Sequence, residues 1–226
     1  MKNLFISSIF LIFLSSCSNT NQLVYLKDSK QNNYNKIDYS FYENKIVFGD
    51  ILKIEVFSVV PEAAIPYNKK NNIENVASSL DVMRLNGYLV DKQMMIKFPV
   101  LGKINIDGLT SFDIAEKITQ LLVEGGHLSS PTVEVRRINS KFTVLGEVKQ
   151  PGTFSYTNEN LNLFQALGYV GDLTINGKRE KITLIREENG IRKVFNISLK
   201  NSEIFNKPYY YIKNNDVIIV NPNFSK

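Results

Sequence analysis

Two segments 44 positions apart read almost alike: Phe98-Pro99-Val100-Leu101-Gly102-Lys103-Ile104 and Phe142-Thr143-Val144-Leu145-Gly146-Glu147-Val148. A stretch with helical character follows each, from Thr110 in the first half and from Asn160 to about Leu167 in the second. A shorter echo sets Gly49-Asp50-Ile51-Leu52 against Asn215-Asp216-Val217-Ile218. Such self-similarity predicts two similar α+β units. The length, 226 residues, fits one large domain or two small ones. Cys17 is the only cysteine, so no disulfide within the chain can brace either unit. Each must be held by a core, for which a 43% hydrophobic composition suffices.

Local patterns give the elements. Ile51 to Phe57 alternates and follows Gly49-Asp50, which predicts a strand. Residues 60–80 carry prolines and many asparagines and read as a long insertion or flexible loop. Tyr88 to Val90 and Ile96 to Ile106 predict short strands, the latter broken at Gly102. Thr110 is a good N-cap with Asp113 three residues on, and Ile114, Ile118 and Leu121 share a helical face, with Ala115 and Leu122 beside it. Gly125-Gly126 stops that helix, and Val133 and Val135 then alternate with charged residues. Further on, residues 181–186 and 191–197 flank Glu188-Asn189-Gly190, a strong hairpin signal.

The N-terminus resembles a bacterial lipoprotein signal peptide. Lys2 supplies a positive start, Leu4 to Leu14 an apolar run, and Leu14-Ser15-Ser16-Cys17 a lipobox. The apolar run is too short to span a bilayer, which takes roughly 20 residues. The resemblance implies cleavage before Cys17 and a covalent diacylglycerol and N-acyl lipid on that residue, with no other cofactor. Residues 1–16 are then a signal peptide and 17–44 a polar lipidated tether. No acidic cluster follows Cys17-Ser18, and the expected location is the outer membrane, lipid-anchored and facing the periplasm.

Three further segments resemble Wza-type outer-membrane polysaccharide export proteins. They are Gly49 to Val56, Phe98 to Ile104 with Gly108-Leu109-Thr110 and Pro131 to Val135, and Val144 to Gly152 followed by Leu163 to Gly171. The resemblance implies a polysaccharide-export domain over 45–138, an SLBB domain over 139–222 and a tail over 223–226. The fold class expected is α+β, two small β-grasp-like domains in tandem. The resemblance also implies a ring-shaped homo-oligomer that passes a capsular polysaccharide or exopolysaccharide and docks on an inner-membrane co-polymerase. No amphipathic helix follows Val220, so a separate barrel protein is expected to cross the outer membrane, or else the chain serves as a periplasmic conduit or adaptor.

The turn and bulge positions expected to matter are Gly49, Asp50, Gly102, Gly146, Pro151 and Gly152. Pro151-Gly152 fits a type II turn with positive φ at the glycine, and Gly146 a bulge or close backbone approach. No catalytic site is expected. His127 is the only histidine, without cysteines to complete a zinc site. Glu187-Glu188 flanks the hairpin turn and reads as solvated. Tyr209-Tyr210-Tyr211 reads as a tyrosine-rich strand, with stacking on sugar rings as the sharper alternative. A net charge of +5 without a long basic run, Arg136-Arg137 and Lys178-Arg179 being isolated pairs, predicts a solvated surface and no nucleic-acid partner. The rival readings are a monomeric carbohydrate-binding lipoprotein and a lipid-anchored glycan hydrolase, the latter needing two facing carboxylates roughly 5–9.5 Å apart.

Overall fold

The computed structural model describes residues 24–28, 44–69, 86–188 and 190–223. The expected signal peptide, Cys17, most of the tether and all but the first residue of the tail lie outside these residues. The fold is α+β, with two separate hydrophobic cores.

The first core lies under a three-stranded antiparallel sheet. Strand β1 (Ile51–Phe57) is central, between β2 (Tyr88–Leu89) and β5 (Thr132–Arg137). Leu52, Ile54 and Val56 point inward, so the alternation of the sequence is the alternation of the pleat. The stretch expected to be loop after β1 begins with the short helix α1 (Pro61–Ala64) and a 3-10 turn (Ile65–Tyr67). Pro61 starts that helix, where its missing N–H has no partner to lose. The Asn68 amide then clamps it to β1, accepting from Val56 N at 2.9 Å and donating to Val56 O at 2.8 Å.

Strands β3 (Met95–Phe98) and β4 (Gly102–Asn105) form a separate antiparallel hairpin. Helix α2 (Ser111–Glu124) follows. Its capping box is complete: Asp113 N donates to Thr110 Oγ1 at 3.2 Å, and Thr110 N donates to Asp113 Oδ2 at 2.9 Å. Ile114, Ile118 and Leu122 are fully buried. Leu122, rather than the expected Leu121, completes the buried stripe, because the spacing i, i+4, i+8 keeps one face of a 3.6-residue helix.

The second core lies under a five-stranded sheet. In chain order come β6 (Lys141–Gly146), β7 (Gly152–Ser155), helix α3 (Leu163–Tyr169), β8 (Gly177–Glu188), β9 (Ile191–Ile197) and β10 (Val217–Pro222). In space the order is β7-β6-β10-β8-β9, with β6 and β10 parallel and the other neighbours antiparallel. Helix α3 starts three residues later than expected, because Asn162 is its N-cap and forms a capping box with Gln165. The β8–β9 hairpin has Glu188 opposite Ile191, as the Asn-Gly signal predicts, although Asn189 lies outside the described residues.

Two expectations are corrected. Among the described residues the two units do not share a topology, since only the second has a parallel strand pair. The long echo is not a structural repeat either. Phe98 to Gly102 is a chain reversal with Val100 at φ +65°, whereas Phe142 to Gly146 is one continuous strand. Pro99 explains the difference: it lacks the N–H a strand would use, while Thr143 N at the matching place donates to Asp216 O at 2.9 Å.

Candidate functional site

The candidate site is the joint between the two units, built from the short echo. Asp50 precedes β1, and its carboxylate accepts from Val47 N at 2.9 Å, closing a turn in which Gly49 has φ +86°. Asp216 precedes β10 and does the same with Lys213 N at 2.8 Å, where Asn215 has φ +67°. Both carboxylates are 1% exposed, a depth at which a charge needs a partner. Each has one. Arg137 Nε lies 3.0 Å from Asp50 Oδ2, and Arg186 grips Asp216 in two-pronged fashion at 2.9 and 2.6 Å.

The arginines arrive by the same logic. Val133, Val135 and Arg137 occupy alternate positions of β5, and Ile182, Leu184 and Arg186 alternate positions of β8. Each inward-facing apolar series therefore ends in a guanidinium that meets the carboxylate at the start of the adjacent strand. Arg186 also donates to the carbonyls of Pro208 (3.0 Å) and Tyr211 (2.6 Å), so its buried charge is well satisfied. Burial pushes both aspartates above the ordinary carboxylate value, against the pull of their arginines. Tyr156 is buried within the field of all four groups, and burial pushes its phenol up to about 12.

The two turns are tied together. Asn214 Nδ2 donates to Asp50 Oδ1 at 2.8 Å, while Asn214 Oδ1 accepts from Lys141 N at 3.0 Å. Asn139, between the units, accepts from Ile51 N at 2.9 Å and donates to Gly49 O at 3.0 Å. On another flank Ser111 Oγ donates to Glu159 Oε1 at 3.2 Å, beside a groove of about 320 Å³ lined by Phe112, Val133, Val135 and Arg136. The arrangement fixes one domain to the other.

The remaining expected positions fall as follows. Gly102 has φ +77° and opens β4. Gly146 ends β6 at φ +90°, and a Cβ there would lie 2.1 Å from Val220 O, so close strand approach requires glycine. Gly152 departs from the type II expectation: with Pro151 before it, it starts β7 opposite Val144, and its φ is not positive. His127 is exposed in the loop after α2, with its ring edge-on to the Tyr67 ring at 5.9 Å. Glu187 and Glu188 pair with Arg192, Lys193 and Lys213 rather than with each other. Tyr209 to Tyr211 lie mostly in a turn after a 3-10 helix (Ser202–Asn206), not in a strand, because Tyr210 N closes on Lys207 O. Their rings pack on Phe195, Phe164 and Phe205. Among the described residues no His, Cys, Asp or Glu cluster could hold a metal ion, and no helix is long and apolar enough to cross a membrane.

The expected tether is in part docked. Leu26 N donates to Leu199 O and Lys27 N to Lys200 O, at 2.9 and 2.8 Å. The Asp28 carboxylate accepts from Ser202 N at 2.7 Å. The Tyr25 hydroxyl donates to Asp172, and its ring faces the Arg179 guanidinium at 5.2 Å. Residues 24–28 thus strap onto the second unit. The polar composition of this segment gave no sign of it, apart from Tyr25 and Leu26 themselves.

Comparison with known proteins finds a likeness for each of the two units. Residues 39–137 match the polysaccharide biosynthesis/export protein family, and residues 141–194 match the SLBB domain. With both matches in this order, the chain resembles the Wza-type polysaccharide export proteins. It is 29% identical over 150 residues to the EPS I polysaccharide export outer membrane protein EpsA of Ralstonia solanacearum, a match spanning 63% of this chain and 38% of that protein. The EpsA protein of Ralstonia nicotianae is 30% identical over 148 residues, with the same shares covered. The chain therefore spans well under half the length of these relatives. The families and the relatives are export proteins, not enzymes.

Proposed function

We infer that this chain is a subunit of a conduit that exports a capsular polysaccharide or exopolysaccharide, associated with the outer membrane and facing the periplasm. The order of an export domain and an SLBB domain, locked to each other by Asp50, Asn139 and Asn214, is the observation that carries this reading. The chain performs no chemistry; flux comes from polymerisation upstream. The parallel β6–β10 pair, with helix α3 between β7 and β8 in the chain, supports a β-grasp reading of the second unit. The working assembly is a homo-oligomeric ring docked on an inner-membrane co-polymerase.

The anchor is lipid on Cys17, and the strap gives it a consequence. Cys17 and Tyr25 are eight residue steps apart, a reach of at most about 28 Å. The lipid would hold the SLBB unit against the membrane and leave the export domain deeper in the periplasm. Native mass measurement of the acylated protein, extracted in detergent after co-expression with its neighbouring genes, tests the assembly. A mass of several protomers is expected. A monomer under those conditions contradicts the conduit and leaves a monomeric carbohydrate-binding lipoprotein. Cys17→Ser should release the protein into the periplasm.

A further inference from the structure

We propose that the outward face of the β3–β4 hairpin holds carboxylate groups of the exported polymer between Lys97 and Lys103, so that the polymer is an acidic polysaccharide. This deepens the export reading above and rests on it. The hairpin register sets Lys97 directly opposite Lys103, which places their Cβ atoms about 5 Å apart. Ile96, Phe98 and Ile104 fill the inward face, so both lysines are pinned outward by the pleat. Lys117, from α2, donates to Asn105 O at 2.9 Å and brings a third ammonium to the edge of β4. Among the described residues no carboxylate pairs with any of the three.

The β8–β9 hairpin neutralises its charges instead: even Arg186, which lies opposite Lys193, is held by Asp216. In β8–β9, Glu187 lies opposite Arg192 and the two pair at 2.6 Å, and Glu188 pairs with Lys193 at 2.8 Å. Like charges directly opposite each other across a strand pair are destabilising. Among the described residues the Lys97–Lys103 pair therefore costs stability without an ion pair in return. A carboxylate seated over the pair removes the repulsion and accepts from two ammonium groups at once. Lysine suits a passing polymer, because it is a point charge on a flexible stem and an exposed contact of this kind is weak. Weak contacts capture and release, as transit requires.

Titration of the purified full chain with oligogalacturonate at low salt tests the proposal, with neutral dextran of equal length as the control. Oligogalacturonate should bind and dextran should not, and added salt should weaken the binding. Lys97→Gln/Lys103→Gln should lower the affinity about five- to tenfold. Lys97→Arg/Lys103→Arg should retain it, and the thermal midpoint of the glutamine variant should be equal to or above that of the wild type. Unchanged affinity in the glutamine variant, or equal binding of dextran, overturns the proposal. Lysine-dependent sedimentation with anionic phospholipid vesicles, without oligogalacturonate binding, also overturns it and makes the face a lipid contact. The export reading fails separately: a strain lacking the gene would then still secrete polymer.

Discussion

Asn214 Nδ2 donates to Asp50 Oδ1 at 2.8 Å and so joins the turn before β10 to the turn before β1, one in each domain. A single side chain thus links two turns that are built alike. Asn214→Ala removes this bond and the acceptor for Lys141 N, a loss of about 1–2 kcal/mol. The loss falls on the joint and on neither core. Urea unfolding followed by two probes, one per domain, should separate into two transitions in the variant. Coincident transitions with an unchanged slope would show that the joint does not couple the domains.

Arg186→Met strands the Asp216 carboxylate in the core and should destabilise by about 3–5 kcal/mol. Arg186→Met/Asp216→Leu removes both charges and should recover a large part of that loss, although the carbonyls of Pro208 and Tyr211 then lack their donor. Chemical denaturation of the two variants measures the coupling. Additive losses would mean that the ion pair is not the reason for the cost.

Gly146→Ala places a methyl group 2.1 Å from Val220 O, and it does so at φ +90°. The central parallel pair must open to admit it, at a cost on the order of 2–4 kcal/mol. Gly152→Ala is the control, since its nearest neighbour would be the Phe154 ring at an ordinary 3.6 Å. Thermal midpoints should fall sharply for the first and little for the second. Equal shifts would contradict the close-approach account of Gly146.

How legible was this in the sequence? The capping box of α2, the strand β1 and the β8–β9 hairpin follow from local chemistry, and they stand where periodicity and turn residues put them. The long echo misled because identity at Phe, Val, Leu and Gly outweighed one proline, and Pro99 turns the chain where Thr143 continues a strand. The short echo, only one residue of which is identical, proved to be the structural repeat. Arg137 and Arg186 were missed as site residues because a charged side chain is ordinarily solvated. The available signal was each arginine's place as the next inward position after two apolar ones. The strap had no such signal, since its partners lie about 150 to 175 positions away in sequence.

Glu188 gives the pH dependence. Hydrogen bonds from Lys193 and Lys213 lower its pKa to about 2 from an ordinary 4.5. A carboxylate depressed on folding stabilises above its unfolded value, and that stabilisation is lost as pH falls from about 4.5 toward 2. Its partners are open to solvent, so the effect is about 1 kcal/mol or less. Glu188→Gln should therefore be less stable than wild type at pH 6, and the gap should narrow through pH 3 and close only near pH 2 and below. A gap that stays constant or widens at low pH would contradict this assignment.

The central claim is that this chain carries polymer outward. The most direct measurement is the partition of polysaccharide between the medium and the cell envelope in a strain lacking the gene and in the same strain complemented. The account predicts that polymer disappears from the medium on deletion and returns with the wild-type chain. Polymer in the medium at wild-type levels in the deletion strain would contradict it.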